Sequence, residues 1–111
     1  MTQQVTFLDP AEIQAKLNDA TAYVIDVRED HEYAEAHIAN VTLMPLSRFD
    51  PGAVSPPANK TLIFHCRSGQ RCGMAAERLI DSGYEGEIFR MAGGLLAWTA
   101  AGLPVETGAD N

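Results

Sequence analysis

The chain has few cysteines, few basic residues and no long apolar run, and each scarcity removes a class of protein. Two cysteines, Cys66 and Cys72, are too few for a disulfide scaffold. Only 8 Lys and Arg stand against 15 Asp and Glu, which gives a net charge of -7. That balance opposes general attraction to nucleic acid or to anionic lipid, so we expect neither nucleic acid nor a membrane as a partner.

The sequence contains no segment of the kind that spans a membrane or directs export. No stretch approaches the roughly 18 apolar residues of a membrane span, and Met1 to Val5 form neither a basic region nor an apolar signal-type run. A cytoplasmic protein is therefore expected. With 111 residues and 46% apolar content, the chain fits a single domain, residues 1–111, whose core we place at about 5–105.

Short apolar runs alternate with helical segments along the chain. Asp9 is the expected N-cap of a helix that continues to about Asn18, with Pro10 in the first helical position and Glu12 completing a capping box. Residues 50–59, which hold three of the six prolines, predict a loop with little regular structure. The alternation predicts an α/β fold with a parallel sheet covered on both faces. The expected strands are 23–27, 41–46, 61–65 and 87–91. Besides the helix that Asp9 caps, the expected helices are 29–33, a segment starting near Cys72, and 95–98.

A six-residue polar turn, Cys66-Arg67-Ser68-Gly69-Gln70-Arg71, lies between an apolar strand and a helix. Backbone N–H groups at such a turn lack helical partners and face one concavity, which can hold an anion, including a thiolate. The helix N-terminus and the two arginines add positive charge, so the pKa of Cys66 is expected below its free value of about 8.5. Cys66 also follows a strand, where parallel sheets bind their ligands. It is therefore the predicted nucleophile.

Three segments give the chain a specific resemblance to a known family. They are Val-Ile-Asp-Val-Arg-Glu at 24–29, with 32–33 and 37–38; the Cys66 loop; and Met-Ala-Gly-Gly-Leu-Leu-Ala-Trp at 91–98, with 102–105. In this order, from about residue 5 to 105, the chain resembles the rhodanese family of sulfurtransferases in its compact single-domain form. The resemblance implies a doubly wound α/β fold with a central parallel sheet, and it implies that Cys66 carries sulfur as a persulfide.

One segment departs from the family pattern. Where the family usually has Gly-His-Ile-Pro-Gly-Ala, residues 36–41 read Ala-His-Ile-Ala-Asn-Val. Asn40 can adopt the left-handed backbone conformation that Gly would adopt, so the turn is expected to be kept.

The length of the Cys66 loop separates two chemistries within this resemblance. Four residues lie between Cys66 and Arg71, the spacing associated with sulfur transfer, whereas the related phosphatases would need Arg where Cys72 stands. The implied function is transfer of sulfane sulfur from thiosulfate or a persulfide donor to cyanide or a thiol acceptor. A sulfur-carrier or regulatory module acting on a protein partner is the alternative, and a phosphatase or arsenate reductase is less favoured.

The resemblance assigns substrate binding to the rest of the loop and the residue after it. The backbone amides from Arg67 to Cys72 are expected to stabilise the negative terminal sulfur. Arg67, nearer the mouth of the loop, is the candidate for docking an anionic donor, and Arg71 either shares that role or braces the loop. This chemistry requires no metal and no organic cofactor. The substrate-binding set is Arg67, Ser68, Gly69, Gln70, Arg71 and Cys72.

Cys72, Asp26 and Arg28 have a packing or structural interpretation as well as a functional one. Cys72 is expected to pack at the start of its helix rather than to resolve an oxidised Cys66 as a disulfide. Asp26 and Arg28 follow the second apolar strand, near the site. A structural role, in which they hydrogen-bond to loops or pair with Glu32, is favoured over direct participation.

Histidines and large apolar residues complete the assignment. A structural zinc site needs four ligands at recognisable spacing, and His31, His37 and His65 do not provide that spacing. Trp98, Leu95 and Leu96 are expected in the core.

Overall fold

A computed structural model describes residues 5–108. Strands and helices alternate along most of the chain, and two single turns of 3-10 helix cover Leu46–Arg48 and Pro51–Ala53. The strands are β1 (Val5–Leu8), β2 (Ala22–Asp26), β3 (Thr42–Leu43), β4 (Thr61–His65) and β5 (Ile88–Met91); the helices are α1 (Pro10–Asn18), α2 (Asp30–Glu35), α3 (Gln70–Asp81) and α4 (Gly94–Ala100).

The five strands form one parallel sheet in the order β1-β5-β4-β2-β3. Successive strand residues point to opposite faces, so β4 contributes to two apolar layers. Ile63 belongs to the layer that contains Ile13 and Trp98, whereas Phe64 belongs to the layer that contains Leu79. Helices therefore cover both faces, and the predicted α/β fold with a central parallel sheet is confirmed. None of the helices among residues 5–108 is long and apolar enough to cross a membrane.

Two local predictions from the sequence are confirmed. Asp9 caps α1, because its Oδ1 accepts a hydrogen bond from the Glu12 backbone at 2.9 Å, and the Glu12 side chain accepts one from the Asp9 backbone at 3.1 Å. Asn40 has φ 66°, the left-handed conformation expected of it. The turn after α2 is thus kept without the glycine that the family pattern supplies.

Several boundaries and environments differ from the prediction. The third strand covers only Thr42–Leu43, because the chain turns at Leu46–Arg48. Residues 50–59 form the predicted loop with little regular structure, which includes the short 3-10 turn at Pro51–Ala53. The helix after the Cys66 loop starts at Gln70 rather than near Cys72, since Gly69, with φ 108°, turns the chain directly into it. Leu96 is 48% exposed and was wrongly placed in the core, because α4 turns Leu95 and Trp98 inward instead.

Candidate functional site

Cys66 follows β4, at the carboxyl edge of the sheet and near its middle, and only 1% of its surface is exposed. The start of α4 holds the loop from outside, because Leu95 N–H donates to the Cys66 carbonyl oxygen at 2.8 Å and Leu96 N–H donates to that of Arg67 at 3.1 Å. Gly94 permits this approach. A Cβ atom there would lie 2.5 Å from the Arg67 carbonyl oxygen and closer still to that of Cys66.

The Cys66 sulfur lies among hydrogen-bond donors. Gly69 N–H donates to Cys66 Sγ at 3.1 Å, and the backbone N–H groups of Arg71 and Cys72 also favour the thiolate form. The hydrogen bond from the Cys72 thiol lowers the pKa of Cys66 most, burial raises it, and the three backbone donors lower it further, to about 5. Cys66 is therefore a thiolate at neutral pH. Hydrogen bonds, rather than the charges of Arg67 and Arg71 named in the sequence argument, are the principal causes of this low pKa.

The two arginines of the loop have different surroundings. Arg71 forms a two-pronged ion pair with Glu32 of α2, at 2.6 and 2.8 Å, and this contact lowers the pKa of Glu32 to about 2. Arg67 is exposed, and its guanidinium makes no hydrogen bond or ion pair with any residue between 5 and 108. The structure thus favours bracing of the loop for Arg71 and leaves Arg67 available to solvent and ligands. Ser68 and Gln70 are also exposed, while Gly69 is buried.

Cys72 is fully buried on the first turn of α3 and contacts the loop through its sulfur. The Sγ atom lies 3.0 Å from the Gly69 carbonyl oxygen and 3.4 Å from Arg90 Nε. The neighbouring Cys66 thiolate and burial both raise the pKa of Cys72, so this residue stays a thiol. Packing alone is therefore an incomplete description of Cys72, because its S–H is also a donor within the site.

Asp26 and Arg28 form a buried pair beside the loop. Arg28 donates from Nε to Asp26 Oδ1 at 3.0 Å and from Nη2 to Oδ2 at 2.8 Å, and His65 Nε2 lies 3.3 Å from the same Oδ2. Burial raises the pKa of Asp26, but His65 and Arg28 lower it by more, leaving it well below its usual range. These contacts fit a structural role.

Arg28 also fastens α2 to the end of β2. Its guanidinium donates to the carbonyl oxygens of Glu32 at 3.3 Å and Ala36 at 2.8 Å. Of the two structural roles considered for Arg28, hydrogen bonding to backbone is the one present: Arg28 donates to the Glu32 carbonyl oxygen, while the Glu32 carboxylate is bound by Arg71. By fixing α2, Arg28 positions Glu32, the residue to which Arg71 of the loop binds.

Sequence reasoning missed Glu32 and Arg90 as contributors to the site. Glu32 lies 39 residues before Arg71, so no local pattern indicated their contact. Arg90 is the charged residue of the strand Ile-Phe-Arg-Met, and a charge within an apolar strand was the available signal. Among residues 5–108, no group of three or more His, Cys, Asp or Glu side chains is placed to hold a metal ion.

A comparison with family models places this loop in a known group. Residues 9–101 match the rhodanese-like domain. The chain belongs to the rhodanese-like domain family, as its sequence motifs indicated.

Relatives of the chain differ in how much of their length they share with it. The uncharacterized protein slr1261 of Synechocystis sp. is 37% identical over 103 residues, which are 93% of this chain and 57% of that protein. A sulfurtransferase of Allochromatium vinosum is 28% identical over 102 residues, 91% of this chain and 94% of that protein. The tRNA uridine(34) hydroxylase of Erwinia tasmaniensis is 30% identical over 115 residues, 95% of this chain but 33% of that enzyme.

Solved structures agree with the fold. The crystal structure of a rhodanese-related protein from Thermoplasma volcanium superimposes with a TM-score of 0.76 at 27% identity, covering 91% of this chain and 97% of that one. The same fold thus occurs at nearly the same length in another protein.

Proposed function

We propose that this protein is a sulfurtransferase that carries sulfane sulfur on Cys66. The observation that supports this most directly is a thiolate, with a pKa of about 5, enclosed by backbone donors. Such donors stabilise negative charge on sulfur in the same way that an oxyanion hole stabilises oxygen. Membership of the rhodanese-like domain family and similarity to a sulfurtransferase of matching length support the same chemistry.

The proposed reaction has two half-reactions. The Cys66 thiolate attacks the outer sulfur of a donor such as thiosulfate, a new S–S bond forms, and the sulfur–sulfur bond of thiosulfate breaks. Sulfite leaves with the bonding electron pair, so Cys66 becomes a persulfide. Cyanide or a thiolate then attacks the outer sulfur of the persulfide, and Cys66 is released as the thiolate. No electrons or protons are needed from outside these reactants.

Arg67 is proposed to dock the anionic donor and the departing sulfite. It is the loop arginine without an ion pair among residues 5–108, and it borders a groove of about 160 Å³ that Glu35, Leu95 and Leu96 also line. A free guanidinium can bind two oxygens of an oxyanion at once. In Arg67→Ala we expect a higher KM for thiosulfate with little change in kcat. Wild-type kinetics in this variant would remove Arg67 from the docking role.

Intact-mass spectrometry tests the sulfur-carrying step. Reduced wild-type protein and Cys66→Ser are exposed briefly to thiosulfate, and a persulfide on Cys66 gives a gain of one sulfur atom in the wild type alone. Treatment with a reductant should reverse that gain. If thiosulfate and an organic persulfide both leave the wild-type mass unchanged, sulfur transfer by this site is refuted.

A sulfur-carrier module is the second candidate, because the exposed Leu96 beside Arg67 offers an apolar contact for a protein acceptor. A stable persulfide with slow turnover on thiosulfate and cyanide would favour the module over the enzyme. The phosphatase alternative is weaker. Both terminal nitrogens of Arg71 already donate to the Glu32 carboxylate, so Arg71 is not free to bind a phosphoryl group. Hydrolysis of an aryl phosphate that depends on Cys66 would reverse this ranking.

A further inference from the structure

Arg90 reaches the underside of the Cys66 loop from β5, although it is far from that loop in sequence. Its Nη2 donates to the Gly69 carbonyl oxygen at 2.6 Å, and its Nε donates to Cys72 Sγ at 3.4 Å. The guanidinium also lies over the Phe7 ring, 4.4 Å from its centroid. Three contacts with three different segments hold this half-buried side chain in one orientation.

Gly69 is the residue whose orientation Arg90 controls. With φ 108° it occupies a conformation open mainly to glycine, and its N–H donates to Cys66 Sγ at 3.1 Å. Glycine has the most flexible backbone of all residues. The direction of this N–H therefore depends on contacts that hold the rest of Gly69, including its carbonyl group, in place. The hydrogen bond from Arg90 to the Gly69 carbonyl is such a restraint.

Arg90 also affects where the single proton of the Cys72 thiol can go. The Cys72 sulfur lies 3.0 Å from the Gly69 carbonyl oxygen, and its thiol also lowers the pKa of the neighbouring Cys66. Arg90 Nη2 approaches the carbonyl more closely, and Arg90 Nε supplies a donor to the Cys72 sulfur itself. A thiol that accepts a hydrogen bond becomes a better donor, because successive hydrogen bonds polarise one another.

We propose that Arg90 is a positioning residue of the Cys66 site, which fixes the neighbouring Cys72 thiol and holds Gly69 so that its N–H donates to the Cys66 sulfur. It does not touch the reacting sulfur, and it acts through these two residues. The proposal deepens the proposed sulfur transfer and rests on it for its catalytic consequence, but the state of the Cys66 thiolate can be measured without any sulfur donor.

Gly73 supplies an independent way to disturb Arg90. A Cβ atom at residue 73 would lie 2.9 Å from Arg90 Nη2 and 3.1 Å from its Cζ, so the absence of a side chain at Gly73 makes room for the guanidinium. Alanine is a better helix former than glycine, and Gly73 lies within α3. Gly73→Ala is therefore expected to remain folded while it pushes the guanidinium from its position.

The test is a titration of the Cys66 thiolate by its ultraviolet absorbance, with Cys66→Ser subtracted, in the full-length protein. Because Arg90 acts on the thiolate only through its neighbours, Arg90→Gln should raise the midpoint by less than the roughly one to two pH units expected for loss of a direct donor, and Gly73→Ala should shift it in the same direction. Arg78→Gln is the matched control. It removes the same charge and one hydrogen bond to a backbone carbonyl, that of Leu46 at 2.9 Å, and it should leave the midpoint unchanged.

Two further readouts separate positioning from general damage or from simple charge. Persulfide formation in Arg90→Gln should be slow at low pH and reach the wild-type rate at alkaline pH, with the KM for thiosulfate unchanged. Arg90→Lys keeps the positive charge but lacks the planar guanidinium that contacts Gly69 and Cys72 together. Its thiolate titration midpoint should therefore lie between those of wild type and Arg90→Gln.

The proposal is overturned if folded Arg90→Gln titrates at the wild-type midpoint, or if Arg90→Lys restores that midpoint completely. Should Arg90→Gln fail to fold, an unshifted midpoint in Gly73→Ala overturns it. A normal wild-type thiolate that never gains sulfur would instead refute the proposed function, and the titration would still decide whether Arg90 positions the thiolate.

Discussion

Removing the Cys72 thiol tests the largest single contribution to the low pKa of Cys66. Cys72→Ala deletes the S–H donor, whereas Cys72→Ser keeps a donor at the same position. A hydrogen bond to a charged group contributes about 1.5–3 kcal/mol, which corresponds to about one to two units at roughly 1.36 kcal/mol per unit. The pKa of Cys66, now about 5, should therefore rise to about 6–7 in Cys72→Ala.

Because the pKa of Cys66 rises in Cys72→Ala, the variant should lose activity at mildly acidic pH and keep it at alkaline pH. A thiolate with a pKa of about 5 is mostly ionised at pH 6, whereas a pKa of 6–7 leaves about half to a tenth of it ionised there. Cys72→Ala should thus lose about two- to tenfold of its persulfide-formation rate at pH 6 and almost none at pH 8. Stopped-flow measurement with thiosulfate across this range gives the profile.

Cys72→Ser is the control for loss of packing, because it also changes the volume at the site while keeping a donor. Its thiolate titration should stay closer to wild type than that of Cys72→Ala. A Cys72→Ala protein that is folded and titrates with the wild-type midpoint would refute the argument that this thiol stabilises the Cys66 thiolate.

Three further predictions concern the supports of the site. Gly94→Ala should abolish most sulfur transfer, because its Cβ would collide with the Cys66 and Arg67 carbonyl oxygens; a steady-state assay beside a circular-dichroism check for folding measures this, and near-normal activity contradicts it. Asp26→Asn should lower the free energy of unfolding by about 3–5 kcal/mol, since it leaves the buried Arg28 without its partner; urea unfolding tests this, and a loss below about 1 kcal/mol speaks against it. Arg71 lowers the pKa of Glu32 from 4.5 to about 2, so this ion pair should stabilise the fold above pH 4.5 and lose that effect as the pH falls towards 2. The difference in the free energy of unfolding between wild type and Glu32→Gln should therefore shrink between pH 4.5 and 2. A difference that stays constant would exclude this linkage.

The sequence was enough to predict features that depend on short-range patterns. The cap at Asp9 involves residues three apart, and Asn40, which stands where the family pattern has glycine, is a residue that can adopt the left-handed conformation. The Cys66 loop was recognisable because a strand, a glycine-containing turn and a helix follow one another directly. Alternation of strands and helices likewise predicted the parallel sheet.

Features that depend on distant segments were not predictable in this way. Periodicity could not show that Glu32 would bind Arg71, because these residues are 39 positions apart. Nor could it show that Arg90 would contact Gly69, which is 21 positions away. Leu96 was misplaced for a related reason. A run of two leucines in a seven-residue helix does not reveal which of them faces the sheet until the position of the helix is known.

Several carbonyls of the Cys66 loop are held by donors from distant segments. A carbonyl that faces away from the sulfur needs a hydrogen-bond donor outside the loop. The carbonyls of Cys66 and Arg67 accept from the first turn of α4, and that of Gly69 accepts from Arg90 of β5. The thiolate is therefore stabilised by residues that never contact it. Substitutions on the outer side of the loop should therefore raise the pKa of Cys66 as well, by less than loss of a donor that acts on the sulfur directly.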